Sequence, residues 1–156
     1  MHTAAFAPQA EPGSPPVEVG LTDALRADPD AIPELSLVAV DRDRVVGHVI
    51  CSRGTIEKSP ALGLGPLGVF PQFQGKGVGS ALMHAVLAAA DARDESVVVL
   101  LGHLDYYPRF GFRPAREFGI EPPEPSWGDH FQARPLTSYR PTLRGRFTFA
   151  APFAAL

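Results

Sequence analysis

The stretch that most constrains this chain is Gln74-Gly75-Lys76-Gly77-Val78-Gly79-Ser80, because it joins an extended apolar run to a helical one. Ahead of it, Leu62-Gly63-Leu64-Gly65-Pro66-Leu67-Gly68-Val69 reads as a strand. Glycine and proline within that run weaken regular pairing and predict a bulge, or a close approach by a ligand or another backbone. Behind the loop, Val78, Leu82, Val86 and Ala89 or Ala90 recur at helical spacing, which predicts a helix over about 78–94. Val97–Leu101 follows as nearly continuous Val and Leu, the pattern of a strand covered on both faces. Strand, glycine loop, helix and strand make a βαβ unit, which requires a parallel pair.

The rest of the chain is patterned for antiparallel pairing. Leu35–Val40 and Arg44–Ile50 flank the turn residues Asp41-Arg42-Asp43 and predict a hairpin. Residues 7–16 are proline-rich, and Val17, Leu21 and Leu25 predict a short amphipathic helix that ends before Pro29. Beyond Arg113 proline and aromatics dominate, with short strands expected only at His130–Leu136 and Arg146–Phe149. A chain of 156 residues fits one domain, since two halves of about 75 residues would each be marginal. The expected layout is a lead-in over 1–16, a core over 17–113 and C-terminal strands and loops over 114–156.

Bulk chemistry removes several function classes. The net charge of −3 argues against a nucleic-acid partner, which calls for a basic face. The single cysteine, Cys51, allows neither an intrachain disulfide nor a multi-thiolate metal site. Its apolar setting marks a buried structural thiol rather than a nucleophile. No stretch approaches the 18 apolar residues of a membrane span, and Met1–Pro8 lacks the features of a signal peptide. The expectation is a cytoplasmic domain without a membrane or metal partner.

The glycine loop suits an anion. The head of a helix leaves backbone N–H groups unpaired and carries partial positive charge, and glycines let the chain wrap closely around a phosphate. Lys76 adds a cation. A plain glycine turn into a core helix is the bland alternative. A nucleotide P-loop is excluded, because Gly75-Lys76 is followed by Gly77 and the residue five before Gly75 is Phe70. The dinucleotide fingerprint fails as well, since the spacing here is Gly75-x-Gly77-x-Gly79 and there is one strong βαβ unit rather than a repeat.

Gln74-x-x-Gly77-x-Gly79 resembles the [Arg/Gln]-x-x-Gly-x-[Gly/Ala] cofactor loop of the GNAT superfamily of N-acetyltransferases. Gly65-Pro66-Leu67-Gly68-Val69-Phe70-Pro71 is similar to the fourth strand of that family. Asp105-Tyr106-Tyr107-Pro108-Arg109-Phe110-Gly111-Phe112 resembles its Tyr-x-x-x-Gly-Phe segment. The resemblance covers roughly residues 17–113 and implies a mixed α/β fold: a mostly antiparallel sheet with a central parallel pair and helices on both faces. It implies acetyl-CoA as cosubstrate and a primary amine, small molecule or peptide, as acceptor. It implies that amides of Gln74, Gly75, Lys76, Gly77, Val78, Gly79 and Ser80 hold the pyrophosphate. Leu67, Gly68 and Val69 would pair with the pantetheine arm, and Tyr107 would protonate the leaving thiolate, with Tyr106 as the fallback.

A general base is not marked, since Leu62–Phe70 contains no acid. Glu57 and His103 are the candidates; His84 reads as packed or solvated, and His2, His48 and His130 carry little signal. The family also begins with a strand and a longer first helix, for both of which Met1 arrives too late. That would leave Leu35–Val40 as an exposed edge. Start-site choice, a partner chain such as a second copy in a homodimer, or the proline-rich segment lying across the edge are the explanations left open. The rival function is a non-catalytic acyl-CoA-binding sensor or interaction module.

Overall fold

The computed structural model describes residues 32–149, so the expected helix around Val17–Leu25 and the proline-rich lead-in lie outside the described residues. Among the described residues the sheet has eight strands: β1 (Ser36–Asp41), β2 (Arg44–Ile56), β3 (Ser59–Val69), β4 (Val97–Leu101), β5 (Arg113–Pro114), β6 (Ile120–Glu121), β7 (Phe131–Pro135) and β8 (Gly145–Thr148). Their order is β5-β7-β4-β3-β2-β8-β6, with β1 pairing β2. The hairpin β1–β2 closes on Arg42 and Asp43, both at positive φ (49° and 66°), as a two-residue turn that follows the strand twist. Among the described residues β1 pairs with β2 alone, and its Val38 and Val40 are exposed.

β2 runs six residues past the expected Ile50. Two distant contacts sustain the extension. Arg53 makes a bidentate pair with Glu95, at 2.7 and 2.8 Å. Thr55 and Ile56 pair with β8, whose Phe147 lies where a side chain on Gly54 would sit.

The single α-helix of the described residues, α1 (Val78–Ala92), buries Leu82, Met83, Val86, Leu87 and Ala90 against one face of the sheet. It sits close over β2 because residue 47 is glycine; a Cβ there would meet Leu82 at 2.9 Å and Val78 at 3.0 Å. Under it lies the larger core, with Val49, Cys51, Leu62, Leu64, Val98, Leu100 and Phe112. The second face carries Ile56, Ala61, Val97, Val99, Phe131, Ala133 and Phe147. It is covered by Trp127, Phe118 and Tyr139 and by the 3-10 helices Ala115–Phe118 and Pro125–His130. The expected parallel pair is β3–β4, and the mixed, mostly antiparallel architecture agrees with the sequence reading.

The β3–β4 pairing is short. It spans only Leu62↔Val98 and Gly63↔Val99. Directly afterwards the β2–β3 register slips, with Val49 opposite Leu67 but Cys51 opposite Leu64. That extra residue on β3 is the predicted bulge. It contains Gly65 at φ +140°, a conformation other residues rarely adopt. The bulged strand bends away from β4, which continues alongside β7.

Candidate active site

The bend opens the site. Phe70 N donates to Val46 O on β2 at 2.9 Å. Strand alternation therefore turns the Val69 amide toward the edge from which β4 has departed. At the end of β3 the chain turns through the 3-10 helix Pro71–Phe73 into the glycine loop. Gln74 latches that loop back onto the strand, its side-chain amide donating to Val69 O at 2.9 Å. Gly77 caps α1 at φ +86°, with no side chain to satisfy the first turn. The ladder begins with Ala81 N donating to Gly77 O at 3.0 Å, so the amides of Val78, Gly79 and Ser80 lie ahead of it. The positive end of the helix dipole is thus aimed at the same space.

That space is a cavity of about 390 Å³ lined by Leu67, Val69, Gln74, Gly75, Gly77, Gly79 and Ser80 together with Tyr106 and Arg109. Seven residues expected from the sequence therefore meet at one place. Gly68, Lys76, Val78 and Tyr107 are not among the lining residues. Gly68 is buried between its two lining neighbours. Val78 packs against the core, and the Lys76 ammonium lies 5.8 Å from the centroid of the Phe73 ring.

Tyr107 stands beside the cavity rather than in its wall. It is half-buried, edge-on to Tyr106 (5.0 Å) and to Phe112 (6.1 Å). Burial first, and the neighbouring Tyr106 second, push its phenol up to about 12, so it keeps its proton at neutral pH. Tyr106 reaches the loop itself, its hydroxyl 3.1 Å from where a Cβ on Gly79 would lie.

Arg109 was not singled out from the sequence. Its guanidinium rests 4.6 Å from the centroid of the Tyr106 ring and donates to Tyr106 O at 2.9 Å and Asp105 O at 3.3 Å. The signal available was a cation within the Tyr-x-x-x-Gly-Phe segment, which the 3-10 helix Tyr107–Phe110 folds back toward the loop.

The candidate bases separate clearly. Glu57 sits in the β2–β3 turn at φ 53°, its carboxylate near Arg146 N, at the opposite end of β3 from Val69. It is removed from the site by about 30 Å of strand, and that candidacy is corrected. His103 lines a different cavity, beyond the end of β4, together with His130. His84 packs edge-on to Phe110 at 5.2 Å, and His48 is buried with Nε2 3.1 Å from Ser36 Oγ. His2 lies outside the described residues. Cys51 is fully buried, and burial pushes its thiol far above the usual range, as expected of a structural thiol.

Among the described residues no helix is long and apolar enough to cross a membrane. Residues 33–114 match the family model described as an acetyltransferase (GNAT) domain. The protein YjhQ of Escherichia coli K12, described as an uncharacterized N-acetyltransferase, is 36% identical over 143 residues, 86% of this chain and 79% of that protein. Two crystal structures superpose on most of the fold. A GNAT family acetyltransferase from Brucella melitensis in complex with acetyl-CoA gives a TM-score of 0.76 at 35% identity, over 97% of this chain and 86% of that one. The GNAT family N-acetyltransferase YhbS from Escherichia coli in complex with CoA gives 0.81 at 26% identity, over 88% of this chain and 78% of that one.

Proposed function

This chain belongs to the GNAT acetyltransferase family, and from that premise we propose that it moves the acetyl group of acetyl-CoA onto a primary amine by direct attack on the thioester. The observation that carries this reading is the divergence of β3 from β4 after Gly63, beside first-turn amides of α1 that have no cap. A diphosphate fits the cradle of residues 74–80, where partial positive charge and unpaired donors coincide. The open edge of β3 at Leu67, Gly68 and Val69 offers strand-like backbone groups to the amide-bearing pantetheine arm. Relatives of this fold hold CoA or acetyl-CoA, which supports the same cosubstrate here.

Rate enhancement then comes chiefly from holding amine and thioester together. The Val69 amide, turned to the open edge, is placed to stabilise the oxyanion. Tyr107, kept protonated by burial, supplies the proton to the leaving thiolate. The non-catalytic sensor is not favoured, because the relatives it would have to resemble are named acetyltransferases.

Calorimetric titration of the chain with acetyl-CoA, followed by thiol release across a panel of primary amines, tests the reading. Binding with release for at least one amine is expected. No binding heat sinks the cradle, and binding without release for any amine restores the sensor.

A further inference from the structure

A second cavity, of about 350 Å³, opens at the carboxyl end of β4 and is lined by Leu101, Gly102, His103, Ser126, Trp127 and His130. Side chains along β4 alternate between the two cores. Val98 and Leu100 join the one under α1, and Val97 and Val99 join the other. Leu101 therefore turns to the second face, where it is 46% exposed, and Trp127 packs against that same core. The glycine-loop cavity and Tyr107 belong to the α1 side. Gly102 is the partition: the Tyr107 ring presses on it where a Cβ would stand, and the second cavity is also walled by it.

We propose that this cavity receives the acceptor amine, an uncharged-flank monoamine carrying an apolar or aromatic group, and that His130 takes the proton from its nitrogen. The inference rests on the acetyltransferase reading above. An acceptor held on the second face would approach the reacting centre past Gly102, the residue that separates this cavity from Tyr107.

The imidazole is held for the role. Gly102 N donates to His130 O at 3.0 Å, and His130 Nδ1 lies 3.2 Å from Gly102 O. A carbonyl can only accept, so Nδ1 carries a hydrogen, and in the neutral ring Nε2 is the nitrogen left with a lone pair. Gln132, fully buried, fixes the same backbone by donating from its amide to Gly102 O at 3.1 Å and His103 O at 3.4 Å. A base whose other nitrogen is pinned by an orienting acceptor is the arrangement that nucleophilic chemistry requires.

The lining also selects the substrate class. It contains no carboxylate. Asp129, next to His130 in the chain, has its own carboxylate engaged by Arg116 at 2.6 Å. The lining itself offers a polycation no carboxylate, and the adjacent Asp129 is already shared between Arg116 and His130, whereas the Trp127 face and Leu101 offer an apolar wall and a surface for one ammonium. In the reaction the amine nitrogen attacks the thioester carbonyl carbon, forming C–N as C–S breaks. His130 Nε2 takes the nitrogen proton, and the thiolate takes one from Tyr107. Solvent exchange returns both groups to their starting states.

The test uses the full chain with acetyl-CoA, reading thiol release with phenethylamine and with spermidine, and acetyl-CoA affinity by calorimetry. Phenethylamine is expected to exceed spermidine in kcat/KM by about tenfold or more, from burial of one ring. Trp127→Ala should lower kcat/KM for phenethylamine by a similar factor. His130→Asn keeps a side-chain N–H for Gly102 O but lacks the lone pair. It should lower kcat by about 10²- to 10⁴-fold, with partial recovery on adding imidazole. In both variants acetyl-CoA affinity should stay within about twofold of the parent, well under one tenfold step of 1.4 kcal/mol. Spermidine preferred, phenethylamine refused, or both variants acting like the parent would overturn the pocket while another amine's turnover left the transferase reading standing. Failure to bind acetyl-CoA would overturn both.

Discussion

The two halves of β3 have the same neighbour on one side and different surroundings on the other. Leu62 and Gly63 lie between β2 and β4, and Leu62 is fully buried. Leu67 and Val69 keep β2 alone and are half-buried at the edge of a cavity. The closed half is clamped by the bidentate Arg53–Glu95 pair, which ties β2 opposite Leu62 to the residue that leads into β4. The open half has, beyond its pairing with β2, the Gln74–Val69 latch. A ladder that is complete has no backbone donors to offer a ligand, so the proposed site falls where pairing stops, and stability is concentrated where it does not.

That contrast can be broken at four points. Tyr107→Phe, which removes one hydroxyl beside the open half, is expected to lower kcat by about 10²- to 10⁴-fold. Its acetyl-CoA affinity and melting temperature should stay near the parent's, and an unchanged kcat would remove Tyr107 from the acid's role. Leu62→Ala in the closed half should cost about 2–5 kcal/mol, read as a Tm loss on the order of 10 °C. The KM for acetyl-CoA should hardly move; a large rise would mean that the halves are not separable.

Glu95→Gln comes next. Burial works against the charged carboxylate, but Arg53 and then Arg93 outweigh it and hold the group below its ordinary value. A depressed folded value means that the stabilisation is present above the ordinary carboxylate range and is lost as pH falls through the folded value. The variant should therefore be about 2 kcal/mol less stable at pH 7, since charge-assisted hydrogen bonds are lost. Urea melts should show parent and variant converging below about pH 4. A gap that persists at low pH would point to packing instead. Leu67→Ala is the smallest: roughly a threefold to tenfold rise in acetyl-CoA KM, as expected from a few exposed methyl groups, with less than half the stability loss of Leu62→Ala. Reversed ranks for these two leucines would sink the comparison.

Much of this was legible beforehand because it is local. Val78, Leu82, Val86 and Ala90 announced α1 through a 3.6-residue period, and Val97–Leu101 announced a strand covered twice. The glycines and Pro66 announced the bulge, which is a property of the backbone they permit. The end of β2 was missed because Ser52-Arg53-Gly54 has no strand pattern of its own. It is extended because it pairs with β3 from Leu64 to Ser59, and Glu95 and Phe147, about forty and ninety residues away, brace it. Glu57 was given a candidacy because sequence order places it just before β3, yet order along a strand says nothing about which end bears the chemistry. Arg109 and His130 were passed over for the same reason in reverse: neither has a local signature, and each becomes interesting only beside what it touches.

By itself, then, the sequence determined the main extended segments, where the helix begins and that Gly75, Gly77 and Gly79 leave the space at its head free of side chains. These follow from φ preferences and short-range periodicity, which each residue carries wherever it is put. Tertiary structure alone decided that β3 parts from β4 after Gly63, that Tyr106 and Arg109 close over the loop, and that His130 meets Gly102 on the other face. Those are encounters between surfaces distant in the chain, settled by packing of two cores and not encoded in any one stretch of it.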